Sequence, residues 1–387
     1  MKTKHLTHLV TASAATAQTI TLADMLASQN ATLSILNGFL QQQQALFNTF
    51  SSASDITVLA PSNNALSSLP SSVLNQANTD PSYLSALLSY HVLNGTYYAT
   101  NFSSSSSPSP LYIRTLLNSA SYANVTGGQR IISTTSPSSG AVTFISGSQA
   151  SSTLQTTDFN FTGGTVHIID SMLSLPTNLT GTLLSANLTA AVGAISQSGL
   201  SASLDATPEL TVFAPTNAAF ESVGNLVAGM SAEDLQNVLG YHVLKGSVLY
   251  SDALSDGMTA ATELGEDVTF RREDGAIFVN SARVVVGNVL IANGVVHFID
   301  NVLNPANVAA KPDPALATQA PAYSGASATG GIPFTTGITP PASTEIPPAT
   351  ATITVGPGGT PVGAAGRQRA GLGVVAILCG AAVLFTL

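Results

Sequence analysis

Four histidines stand where chemistry could be built: His91, His167, His242 and His297. Imidazole titrates near neutrality and ligates metals, so two per half of the chain could form an acid/base pair or the start of a metal site. Asp170 and Asp300 each follow a histidine by three positions and could add a carboxylate. Two arguments weigh against this. Two histidines without a third ligand make a poor metal site. In a strand, a residue and the one three later point to opposite faces. The favoured reading is therefore a partly buried histidine, bonded to backbone or to a nearby Asn or Asp, that organises the fold. No cofactor and no metal are expected.

Other catalytic patterns are missing. The chain has no G-x-S-x-G elbow, no H-E-x-x-H helix and no phosphate-binding loop. A glycosidase needs two placed carboxylates. The acids of the second half sit mostly in polar runs such as Gly265-Glu266-Asp267 and Arg272-Glu273-Asp274, which read as solvated surface. The single cysteine, Cys379, lies in an apolar tail, which excludes thiolate zinc sites and cysteine nucleophiles. An enzyme is not expected.

The histidines fall inside a duplication. Residues 56–66 read ITVLAPSNNAL and residues 210–220 read LTVFAPTNAAF. YHVL occurs at 90–93 and again at 241–244. GGTVHIIDSML at 163–173 is matched by NGVVHFIDNVL at 293–303. Blocks recurring in one order mark a tandem repeat, and that fixes the domain count. The repeats differ in the middle: His91 and His167 are 76 positions apart, His242 and His297 only 55. Part of the surplus is the serine tract at 103–107, which reads as an exposed loop.

These blocks resemble the landmarks of the fasciclin domain, an extracellular adhesion module, over roughly residues 19–306. The strand into A-P-[ST]-[ND] carries Pro61 and Asn63, with Pro215 and Asn217 in the second copy. The third block carries His167 and Asp170, then His297 and Asp300. The resemblance implies an α+β fold, two tandem domains with helices packed around a β-wedge, and no catalytic chemistry. It extends to animal periostin-type adhesion proteins, in which the Tyr-His pair is linked to integrin binding. Tyr90-His91 and Tyr241-His242 match that pair and are carried over as an interaction motif. A packing role is at least as well supported, because the pair closes a helix.

Only 8% of residues are charged, against about a quarter in an average domain. Hydration must come from elsewhere, and seven N-x-[ST] sequons offer glycans: Asn30, Asn94, Asn101, Asn124, Asn160, Asn178 and Asn187. None lies beyond Asn187. The acids concentrate instead in the second repeat, so one copy reads as sugar-coated and the other as acidic. No basic stripe exists, and nucleic acid is not an expected partner.

The ends read as addresses. Residues 1–17 have basic Lys2 and Lys4, a short apolar stretch and a small-x-small site at Ala15-Thr16-Ala17, as in a signal peptide. Residues 367–387 are apolar after Arg367 and Arg369, and Gly363 and Ala364 offer an attachment site for a GPI anchor. A short transmembrane anchor is the alternative. Between them, residues 307–366 are rich in Pro, Thr, Ala and Gly, without apolar periodicity, and predict a disordered, O-glycosylated stalk. The expected domains are thus 18–177 and 178–306.

Local signals place the motifs. Thr21 to Asp24 and Ser231 to Asp234 read as capping boxes. Asp80-Pro81 reads as an N-cap with proline at the first helical position. Leu22, Met25, Leu26, Leu33, Leu36 and Leu40 recur at helical spacing; Leu183, Leu184, Leu188, Val192 and Ile195 do so in the second repeat. Ile56–Leu59 and Leu210–Phe213 predict strands ended by proline. In VHFID, alternation sets Val296 and Phe298 on one face and Val295, His297 and Ile299 on the other.

The functional expectation is a GPI-anchored, glycosylated protein of a fungal wall. It would act in adhesion through wall or matrix glycans, neighbouring surface proteins or copies of itself. The alternative is a non-catalytic module that captures an apolar or glycan ligand in one domain.

Overall fold

The computed structural model describes residues 20–102 and 109–339, with two short paired strands at Thr354–Val355 and Pro361–Val362. The expected signal peptide, the serine tract, the anchor signal with Gly363 and Ala364, and Cys379 lie outside the described residues.

The first repeat opens with α1 (Leu22–Ser28), α2 (Asn30–Gln42) and α3 (Gln44–Ser52). The capping box at Thr21 and Asp24 forms, with each side chain bonded to the other's backbone N–H. Strand β1 (Ile56–Pro61) leads into α4 (Asn63–Ser67), α5 (Ser71–Thr79) and α6 (Pro81–Tyr90). Asp80 caps α6 by accepting from the backbone of Ser82 and Tyr83. Then come β2 (Val92–Asn94), α7 (Ala99–Phe102), β3 (Leu111–Arg114), β4 (Arg130–Thr135), β5 (Val142–Ile145), β6 (Ser151–Phe161) and β7 (Gly164–Ile169).

The sheet order is β2-β1-β7-β6-β5-β4-β3. Only β1 and β7 run parallel, and a bridge between Leu93 and Thr115 all but closes the sheet. Gly164 opens β7 because a Cβ there would stand 1.8 Å from the Ile56 carbonyl oxygen.

The second repeat rebuilds this unit. It comprises α8 (Leu179–Ser185), α9 (Thr189–Gln197), α10 (Ser201–Ala206), β8 (Leu210–Pro215), α11 (Asn217–Ser222), α12 (Gly224–Val227) and α13 (Ala232–Gly240). Strands β9 (Val243–Leu244), β10 (Thr259–Ala261), β11 (Asp267–Glu273), β12 (Ala276–Val279), β13 (Ala282–Ile291) and β14 (Gly294–Ile299) follow. Their order, β10-β11-β12-β13-β14-β8-β9, repeats the first sheet. The first strand of each sheet runs on to Pro61 or Pro215, past the predicted end, because its parallel partner pairs with it to the last residue.

Each sheet separates two apolar layers. Val58, Val166 and Ile168 face the helices with Leu33, Leu36 and Leu84. Leu59 and Ile169 face inward with Tyr90, Phe102 and Phe144. The predicted alternation holds: Val296 and Phe298 join the helix side, and Ile299 the inner side. Each such fully buried side chain contributes roughly 1.5–3 kcal/mol.

The structure differs from the sequence expectation over 307–339. This half of the expected stalk is seated on the second domain. Tyr323, Ala326, Phe334 and Ile338 pack on its helical core, and the Phe334 ring meets Phe220 edge-on. The segment needs no periodicity because asparagines hold its backbone. Asn225 accepts from Ser327 N and donates to Gly325 O; Asn301 and Asn304 donate to the carbonyls of Ala320 and Ala322.

Candidate functional site

The histidines come in two matched pairs. His91 and His242 close α6 and α13. Nδ1–H of His91 donates to Leu87 O at 2.8 Å, and Nε2 accepts from Leu173 N at 3.0 Å. His242 repeats this with Val238 O at 2.7 Å and Leu303 N at 2.9 Å. Each ring therefore ties a helix end to the exit of the sheet's central strand. Burial in apolar surroundings pushes both down to about 4, so both are neutral.

His167 and His297 use the other tautomer. Their Nε2–H donates to Tyr97 O at 2.7 Å and Leu249 O at 2.9 Å. Their Nδ1 accepts from the backbone N–H of Asp158 at 3.1 Å and of Asn288 at 3.4 Å. Those donors sit on matching bulges, where φ is +63° and +61°. Asp and Asn tolerate the left-handed region better than most residues, and the bulge turns the N–H toward the ring. Burial lowers His297 to about 4 and lowers His167 as well. Asp158 Oδ1 lies 3.9 Å from His167 Nδ1, but a neutral ring makes this no ion pair.

The other motif residues also work inward. Asn63 Oδ1 accepts from Ile35 N, and its amide donates to Ala31 O; Asn217 does the same with Ala190 N and Asn187 O. Asp170 and Asp300 accept from the backbone of Thr153 and Arg283, pinning adjacent strands. Asp170 is exposed while His167 is fully buried, so the two never meet as a pair. Burial raises Asp300, whose second oxygen accepts from Gln319 N of the seated tail. Among the described residues, no three His, Cys, Asp or Glu side chains cluster to hold a metal.

The Tyr-His interaction motif needs correction. Tyr90 and Tyr241 have no exposed surface, and His91 and His242 have 3% and 2%. The tyrosine hydroxyls donate to Arg130 O and Asp267 O inside the sheets. A partner cannot touch either pair in the folded protein, because helix closure and sheet packing need them inside.

The sequons are not equivalent. Asn30, Asn94, Asn101, Asn160 and Asn187 are exposed. Asn178 is exposed but caps α8 and donates to Asp205. Asn124 is half-buried at the boundary between the domains. Its side-chain amide donates to Ala206 O, its N–H to Ala292 O, and its carbonyl accepts from Glu209 N.

That boundary holds the residues the sequence did not disclose. Asn288 donates to the hydroxyls of Tyr112 and Ser251 and accepts from Ser251 N. Arg130 lies over the ring of Tyr250, 5.3 Å from its centroid. Ile132, Tyr250, Leu290 and Val295 form an apolar cluster across the boundary. Gln129, fully buried, donates to Ile291 O. Apart from Val295, none of these falls in a repeated block, so no motif could have flagged them.

Beside this interface lies a cleft of about 880 Å³. One wall is Leu69, Pro70 and Val73 from the start of α5, with Tyr83 of α6. The floor runs from Met172 to Pro176, and the second domain closes the rim with Asp205 and Asn293. The Tyr83 and Tyr122 rings meet edge-on at 6.1 Å inside it.

Comparison with known proteins finds a matching family and several relatives. The Fasciclin domain family matches residues 31–176 and 186–305. A fasciclin-like arabinogalactan protein of Arthroderma benhamiae is 33% identical over 314 residues, 80% of this chain and 73% of that one. Transforming growth factor-beta-induced protein ig-h3 of Sus scrofa is 28% identical over 64% of this chain and 34% of its own. A solved FAS1 domain pair from the insect cell adhesion molecule fasciclin I matches 72% of this chain and 99% of its own, at 20% identity and a TM-score of 0.36. With two matched stretches covering most of its length and one copy of the α+β unit in each, the chain belongs to the fasciclin-domain family.

Proposed function

We propose that the protein is a non-catalytic, extracellular cell-surface protein that works in adhesion or matrix contact through its two fasciclin domains. The observation that supports this most directly is the state of the histidines. All four are buried, with both ring nitrogens engaged in holding backbone together. The groups best suited to acid/base chemistry are thereby spent on the fold. What faces solvent is a hydroxyl- and sequon-rich first domain and an acidic second one. Contacts through such surfaces are individually weak, and two domains on one tether raise effective concentration. The partners proposed are wall or matrix glycans, neighbouring surface proteins or copies of the chain, with a GPI anchor holding it to the membrane.

Phospholipase release from intact cells, with adhesion scored before and after, tests this. Release with loss of adhesion is the expected result. Protein that stays on the cell sinks the lipid anchor, and release without loss of adhesion sinks the adhesive role. A second reading, capture of a ligand by a non-catalytic module, is favoured by the cleft between the domains.

A further inference from the structure

The two repeats can be aligned in sequence, residue by residue, around the cleft. Pro61 and Pro215 set an offset of 154, which pairs Leu69, Pro70 and Val73 with Val223, Gly224 and Val227. His167 and His297 set an offset of 130, which pairs Leu173 and Ser174 with Leu303 and Asn304. The first-domain members of these pairs line the cleft. The second-domain members hold the seated tail.

There the tail fills the groove. Tyr323 packs on the core and its hydroxyl donates to Leu303 O at 3.1 Å. Asn304 donates to Ala322 O. Thr329 crosses so near Gly224 that a Cβ there would stand 2.6 Å from its hydroxyl oxygen. The occupant is an uncharged run, Gln319-Ala-Pro-Ala-Tyr-Ser-Gly-Ala-Ser327, that turns at Ser324-Gly325, where Ala326 N donates to Tyr323 O. Side-chain amides grip its backbone carbonyls, a mode that asks little of sequence beyond small residues and one aromatic anchor. In the first domain the same position is an open cleft. Its lining carries one charged side chain, Asp205, already bonded to Asn178 and Thr180. Such a lining disfavours acidic occupants and suits a neutral one.

We propose that the cleft between the domains binds an uncharged, Pro-Ala-Ser-rich segment of another polypeptide, with an aromatic side chain seated against Leu173. This gives chemistry to the capture reading and stands whether or not the protein is adhesive.

The test is a fluorescence-anisotropy titration of the full protein with a labelled peptide of residues 316–329. Ala120 is exposed on a turn that lines the cleft, so Ala120→Trp fills it without entering the core. Saturable one-to-one binding, weakened at least tenfold by Ala120→Trp and by Val73→Arg, is expected. Binding untouched by Ala120→Trp but strengthened by Tyr323→Ala would show the peptide merely replacing the tail in the second domain, and overturns the proposal. Self-association of the protein alone, abolished by Ala120→Trp, would make a second copy the occupant and overturns the separate partner. Absence of saturation at millimolar peptide overturns it outright.

Discussion

The amide of Asn288 in the second domain donates to the hydroxyl of Tyr112 in the first, 3.0 Å away. Tyr112 in turn stacks on Tyr250, with ring centroids 4.5 Å apart and planes 27° apart. Asn288 occupies the bulge that also presents its N–H to His297, so one residue serves the interior of its domain and the contact between domains. Its counterpart Asp158 is exposed and accepts from Ala99 N within its own domain. The same bulge has been put to different uses in the two copies.

Tyr250→Ala should uncouple the domains. Removing a buried aromatic ring costs about 3–5 kcal/mol. Calorimetry should show one transition for the parent protein and two for the variant. A variant that still melts in one step at an unchanged temperature would mean that the boundary contributes little.

Acid should destabilise the protein through its histidines. His91, His242 and His297 titrate near 4 when folded against an ordinary 6.5, so between these values the unfolded chain binds more protons. Their contribution is complete above pH 6.5 and is lost as pH falls toward 4. Each contributes roughly 1.4 kcal/mol per pH unit in that window. Urea midpoints measured from pH 7 to pH 4 should fall steeply; a flat profile contradicts the neutral, buried rings.

Glycine at the start of each central strand should be irreplaceable. A Cβ at Gly164 or Gly294 would lie 1.8 or 1.9 Å from a carbonyl oxygen of the paired strand. Either Ala substitution should cost several kcal/mol by separating the parallel pair. Gly140→Ala, at φ +70° with nothing within 4 Å, should cost only about 1 kcal/mol. Thermal melts of the three variants would expose any error in this ranking.

Glycan occupancy should follow the boundary. Asn30, Asn94, Asn101 and Asn160 are expected to be modified, while Asn124 is not, because its amide is committed to Ala206 O. Glycopeptide mass spectrometry of the folded, secreted protein decides this. A full glycan on Asn124 would mean that the domains do not meet as described.

Much of the fold was legible because it is written in local chemistry. The capping boxes at Thr21 and Ser231, the cap at Asp80 and the alternation in the His297 strand are all set by neighbours in sequence. The seated tail was not legible. Its anchors, Tyr323 and Phe334, stand among mostly small residues, and its grip comes from asparagines outside the segment, such as Asn225 and Asn301, 100 and 19 positions before their partners. The Tyr-His pair misled for a related reason: residue type announces capacity for contact, while burial decides with whom. The tyrosine stack at the boundary joins residues 138 positions apart, from segments without a common motif.

A neutral imidazole has one donor atom and one acceptor atom, as a peptide group does. Each of the four rings is therefore a piece of backbone carried on a side chain, splicing two chain segments that no ladder could join. Amide side chains also pair a donor atom with an acceptor atom but lack the ring's rigidity, and carboxylates and hydrocarbons lack the donor. Both copies of the duplicated unit therefore carry the same internal splices, while their surfaces differ in charge and sequons. A sequon-rich copy and an acidic copy thus share matched histidine splices.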